Sequence, residues 1–145
     1  MLKNLTMIQR VQSLWLLLAA VFGFLTFKLP FYSGNKKDIV PPTGTEPLKA
    51  SSQILLLVLA SSVIIICFAA LVMYKKRKQQ LNLTIINIIL SIVLIVIYFM
   101  QIQNFEKGFL SLSCLFTLAI PVFLFLAARG IWRDEKLIRS LDRLR

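Results

Sequence analysis

The sequence predicts an all-α membrane protein: a four-transmembrane-helix antiparallel bundle followed by a short cytoplasmic amphipathic C-terminal helix. Three observations point there. Hydrophobic residues make up 58% of the 145 and charged residues only 16%, against roughly 45–50% and 25% in an ordinary soluble domain. The apolar residues fall in four blocks instead of recurring at a helical or strand period. Each block is free of charge for about the 17–25 residues a helix needs to cross a bilayer. This composition excludes a disordered tail, a disulfide-stapled secreted miniprotein and an ordinary soluble enzyme domain.

The spans are expected at about 11–28, 51–74, 81–102 and 108–128, within one bundle domain over 1–128, with an outer loop at 29–50 and a cytoplasmic tail at 129–145. The first span is the shortest, bounded by Arg10 and by Lys28, whose ammonium is expected to snorkel to the interface. Lys3 and Arg10 ahead of the apolar stretch 14–20 resemble a signal peptide, but no A-x-A site follows and the apolar run continues to Phe27. An uncleaved span is therefore expected. The second span carries Leu, Ile, Val or Phe at thirteen positions between Ile54 and Val72. At the membrane-insertion scale these contribute about −4 to −8 kcal/mol.

The third span bears a polar stripe. Thr84, Asn87, Ser91, Tyr98 and Gln101 fall within about a 100° arc of one helical face. Two readings fit: a wall facing a ligand, or the inner seam of the bundle. The seam is favoured, because an amide turned to lipid costs more than one bonded to a neighbouring helix. In the fourth span Cys114, Thr117, Pro121 and Ala128 share a face, and Pro121 frees the carbonyl of Thr117. In the first, Ala19 and Gly23 form a small-xxx-small pair that admits a close backbone, from this chain or from another protein.

Charge sets the orientation. Lys3 and Arg10 precede the first span, Lys75, Lys76, Arg77 and Lys78 separate the second and third, and Arg129, Arg133, Lys136, Arg139, Arg143 and Arg145 follow the fourth. Twelve of the seventeen basic residues thus lie on one side, and the positive-inside rule puts both termini in the cytoplasm. On the other side, the Pro- and Gly-bearing segment 30–49 reads as an irregular loop or a short strand pair, and 104–108 as a short turn.

Little points to chemistry. The chain has no histidine, which removes the commonest metal ligand and proton relay. No Asp, Glu, Lys or Arg falls inside the hydrocarbon part of a span, where charges usually mark ion or proton paths. Cys67 and Cys114 are expected to differ in depth by roughly 12 Å, too far for a disulfide. No cofactor, metal or catalytic residue is expected. The KKRK run at 75–78 could meet phosphates but is weighted toward fixing topology. No nucleic-acid-binding pattern accompanies it.

The tail is the most informative polar segment. On a helix Ile131, Leu137, Ile138, Leu141 and Leu144 cover about 140°, with Asp134 and Arg145 intruding at the ends of that stripe. Glu135 and Arg139 are spaced to pair at i,i+4, and Trp132 suits an interfacial anchor. Residues 131–145 hold five basic and three acidic side chains. Such balance suits specific docking at least as well as lipid adsorption.

The two ends, MIQRVQ at 7–12 and RDEKLIRSLDRLR at 133–145, resemble those of an uncharacterised family of four-helix inner-membrane proteins from Bacteroidetes. The likeness spans nearly the whole chain, with the middle spans alike only in hydrophobic character. Residues 1–6 precede the family's usual start, which would fall at Met7. The resemblance implies a bacterial inner membrane and names no activity. It directs attention to a cytoplasmic docking surface of Gln9, Arg10, Gln12, Asp134, Glu135, Ile138, Arg139, Leu141, Asp142 and Arg143, joined through pairs such as Arg10 with Asp134 or Glu135. A second candidate is the intramembrane seam of Thr84, Asn87, Ser91, Tyr98 and Thr117. The expected function is a non-enzymatic accessory or scaffolding subunit of a larger membrane complex, with membrane lipids and other inner-membrane proteins as partners. The alternative is a lipid or small apolar ligand carrier using the polar face of the third span.

Overall fold

A backbone in lipid has no water to bond to, so an apolar block must close its hydrogen bonds within itself. In the computed structural model all four blocks do so as helices: α1 (Leu2–Lys28), α2 (Ile54–Val72), α3 (Arg77–Ile102) and α4 (Cys114–Asp142). The structure describes the backbone of residues 2–36 and 46–142, and the side chains of 11–35, 47–74, 76–105 and 108–136. All four helices are long and apolar enough to cross a membrane. They run alternately up and down and pack in a ring, α1 on α2, α2 on α3, α3 on α4, with α4 closing on α1. The bundle therefore has a terminal end, where α1 begins, α4 finishes and the α2–α3 hairpin turns, and an opposite end.

The opposite end is closed by a small antiparallel sheet. Its strands are β1 (Tyr32–Lys36), β2 (Glu46–Leu48) and β3 (Phe105–Leu110), in the order β2-β1-β3. The pairing of β1 with β2 realises a short strand pair in the outer loop. The third strand differs from expectation: the segment read as a turn at 104–108, and the first residues assigned to the fourth span, belong to β3. Phe109 and Leu110 prolong the apolar run in sequence, but here the chain is still extended. Gly108 stands opposite Gly34, and a Cβ at Gly108 would sit 2.5 Å from the Ser33 carbonyl oxygen. Only a residue without a side chain lets the strands approach this closely. Helix α4 then starts at Cys114, whose N–H bonds the Ser111 carbonyl at 2.9 Å.

The tail also differs. The region 129–142 is no separate helix but the unbroken continuation of α4, which is 29 residues long and runs through Pro121. At 1.5 Å per residue it reaches ~43 Å, well beyond a ~30 Å hydrocarbon core. Nothing in 122–142 breaks a helix except Gly130, and that glycine is held against α1.

Packing divides the core in two. Toward the terminal end Leu16, Ala19, Ala20, Val63, Cys67, Ala70, Ile120, Leu124 and Ala127 bury one another. Toward the sheet Phe31, Leu48, Ala50, Leu56, Ala60, Leu94 and Tyr98 do so, with the Phe31 ring stacked on Tyr98 at 4.5 Å between centroids. Phe31 is fixed on both sides, its N–H bonding Leu48 O and its carbonyl accepting from Ser111 N. Cys67 and Cys114 are both free thiols.

The small-residue pair of α1 finds its partner inside the chain. Ala19 is fully buried, and a Cβ on Gly23 would lie 2.8 Å from Ile64 Cγ1 on α2. Gly23→Leu should force the two helices apart and destabilise the bundle by about 1–3 kcal/mol, read as a lowered unfolding midpoint in detergent. Combining it with Ile64→Ala should recover part of the loss.

Candidate functional site

The polar residues of the membrane helices point inward. Thr84 is 0% exposed and Asn87 1%, while Ile86 and Ile89 beside them are 53% and 59% exposed. Ser91, Tyr98 and Thr117 are buried as well, so the five seam residues all lie in the interior of the bundle. They are not one connected cluster. Asn87 donates from Nδ2 to the Val63 carbonyl and to Cys67 Sγ on α2, both at 3.1 Å. Thr84 donates to Gln80 O at 2.8 Å and Ser91 to Ile88 O at 2.7 Å, each within its own helix. Gln101, the last residue of the stripe, accepts from Gln53 and Asn104 at the sheet end. Within the seam Asn87 Oδ1 is left without a hydrogen-bond partner among the described residues, and the Tyr98 hydroxyl has the Thr26 hydroxyl beside it. The Thr26 hydroxyl beside Tyr98 is turned to the Gly23 carbonyl.

A second polar group lies at the terminal end. Along α4 the buried positions Ile120, Leu124, Ala127 and Ile131 repeat at helical spacing, and Asp134, 1% exposed, continues the same line. Asp134 is about 20 residues, or ~30 Å, beyond the start of α4, near the edge of the hydrocarbon. Its carboxylate meets the guanidinium of Arg77, the first residue of α3, at 3.1 Å. The N–H is not aligned for a hydrogen bond, so the contact is an ion pair. It ties the α2–α3 hairpin to α4. Beside it Gln12 of α1 is buried and packs into the space left by Gly130: a Cβ there would come within 2.7 Å of Gln12 Cγ.

The docking surface read from the sequence is therefore only partly on view. Gln12 and Asp134 lie at the terminal end, both buried, and Glu135 is half-buried. The side chains of Gln9, Arg10, Ile138, Arg139, Leu141 and Asp142, and Arg143 altogether, lie outside the described residues. Asp134 pairs with Arg77, while the expected pairing of Arg10 with Asp134 or Glu135 lies outside the described residues, as the Arg10 side chain does. Arg77 had no local signal, being one of four consecutive cations. The usable clue was Asp134 itself, an acid on an otherwise apolar stripe.

Two open grooves flank α4 at this end. One, about 410 Å³, runs between α3 and α4 over Leu81, Ile85, Phe125 and Trp132. The other, about 430 Å³, runs between α1 and α4 over Val11, Gln12, Trp15 and Leu126, with Arg133 at its edge. Arg129 borders both. A cleft of only about 70 Å³ opens at the sheet end beside Gln53, Gln101 and Asn104. Among the described residues no three Cys, Asp or Glu side chains come together as a metal would require.

Polar groups inside, an apolar surface outside and four helices of spanning length define the build of a multi-pass membrane protein. Within that class the chain belongs to the family described as Domain of unknown function (DUF4293), whose model matches residues 8–144. No curated protein and no solved structure matches it.

The ion pair should respond asymmetrically to truncation. Arg77→Ala strands a buried carboxylate and should cost about 2–4 kcal/mol, whereas Asp134→Ala leaves an arginine that can turn to water and should cost about 1–2 kcal/mol. The double variant should lose less than the sum of the two, as measured by unfolding in detergent. Asn87→Leu, which removes the bonds to Val63 and Cys67, should cost about 0.6–2 kcal/mol in the same assay.

Proposed function

We propose that the chain is a non-enzymatic accessory or scaffolding subunit of a larger assembly in the inner membrane of a bacterium of the Bacteroidetes. The terminal end faces the cytoplasm in this reading, in keeping with the twelve basic residues gathered there. The observation that carries the reading is the length of α1 and α4. Helix α1 begins at Leu2, ahead of the charge-free run that starts after Arg10, and α4 continues to Asp142, past the charge-free run that ends at Ala128. Two helices thus leave the membrane side by side on one face and offer a regular surface for a protein partner. The Ala19–Gly23 pair does not contribute, since α2 already occupies it.

A second reading, a carrier for a lipid or small apolar ligand, is favoured by Asn87 Oδ1, buried in the interior without a hydrogen-bond partner among the described residues. It is the weaker one, because the remaining stripe hydroxyls bond their own helices.

Capture of the full chain from its native membrane in mild detergent, with mass spectrometry of proteins and lipids, separates the two. A subunit should bring down a stoichiometric membrane-protein partner, and Ile138→Asp with Leu141→Asp should release that partner while helix content is unchanged. A chain recovered alone overturns the subunit reading. If it then carries a defined lipid that Asn87→Leu removes, the carrier reading takes its place.

A further inference from the structure

Arg129 occupies an awkward depth. The uncharged part of α4 before it, from Cys114 to Ala128, rises only ~22 Å, short of the ~30 Å hydrocarbon thickness. Its guanidinium therefore sits near the headgroup boundary, where an anionic headgroup is the partner at hand. Arg133 follows at i+4 on the same side of the helix. Neither arginine has a carboxylate within ion-pair distance among the described residues. Asp134, the one buried acid of this end among the described residues, is paired with Arg77.

The groove between α1 and α4 adds an independent sign. Gln12 lines it together with both arginines. That side chain is 6% exposed, and its amide nitrogen has no hydrogen-bond partner among the described residues. A buried N–H donor beside two cations, none of them partnered among the described residues, is the donor set that recognises a phosphate or an ester oxygen. The remaining walls, Val11, Trp15 and Leu126, are apolar and face the depth of the acyl chains. Arg129 stands on the ridge between this groove and the apolar one over Ile85 and Phe125. A two-chain lipid anchored on it has an apolar channel on either side of α4.

We propose that this end of α4 is a binding site for one anionic glycerophospholipid, whose phosphate lies between Arg129 and Arg133, whose headgroup region accepts from the Gln12 amide, and whose acyl chain lies along Trp15 and Leu126. The inference does not depend on the subunit reading, since a lipid bound here is compatible with a lone chain or an assembled one.

Native mass spectrometry of the purified full chain, titrated with phosphatidylglycerol or phosphatidylcholine of identical acyl chains, tests it. The chain should retain one phosphatidylglycerol about tenfold more tightly than phosphatidylcholine. Arg129→Gln with Arg133→Gln should abolish that preference, while Lys76→Gln with Lys78→Gln, removing equal charge from the same end, should leave it. Gln12→Leu keeps both arginines and should reduce the preference about threefold, which serves if the arginine variant does not fold. Equal loss in both charge variants would mean a diffuse basic surface and would overturn the site. So would retention of both lipids alike. Displacement of the lipid by millimolar inorganic phosphate would reassign the arginines to a free anion and overturn the lipid.

Discussion

Asn87 can leave the lipid in only one direction. With hydrocarbon on the outside, a primary amide midway along α3 must turn to the interior and find a carbonyl, and it finds that of Val63. That single requirement fixes the rotation of α3 about its own axis. Thr84, Ser91 and Tyr98 follow to the inside because they share the face, and the isoleucines at 85, 86, 89 and 92 follow to the outside. The apolar surface that results would be an aggregation hazard in water and is ordinary in a membrane. The rotation of α3 in turn sets which faces α2 and α4 present. Cys67, a small soft side chain, lies where the same amide reaches.

At the terminal end the constraint is charge, and it links three helices. Asp134 lies on a line of buried positions on α4 and is paired with the first residue of α3. Gly130, one turn earlier, lets Gln12 of α1 lie against the α4 backbone. The cost of holding a carboxylate out of water is offset only while Arg77 stays in place, so the pair stabilises one position of the hairpin over others more than it stabilises the fold as such.

The four helices were legible because charge-free blocks of spanning length are rare in any other context, and the inward polar stripe was legible from helical spacing alone. The sheet was not. Its strands are short, β1 reads Tyr-Ser-Gly-Asn-Lys, and the partner of β1 in β3 lies some seventy residues away with no shared pattern. The start of α4 was misplaced for the same reason, since Phe109 and Leu110 carry the composition of a span and the conformation of a strand. Continuity of α4 into the tail was hidden by the change from apolar to charged residues at Arg129, which alters solvent and not secondary structure. The Arg77–Asp134 pair joins positions far apart in sequence. Only the misfit of an acid on the apolar stripe hinted at it.

The two ends of the bundle are finished in opposite ways, and this bears on where contacts with other molecules can form. At the sheet end, among the described residues, backbone groups are paired in strands, Phe31 and Leu48 fill the space between the helices, and a cleft of about 70 Å³ opens beside Gln53. At the terminal end helices continue past the apolar spans, the large grooves open on both sides of α4, and the cations outnumber the acids. Headgroups and protein partners carry the polar, often anionic groups that such a surface lacks. The closed end gives the bundle its register.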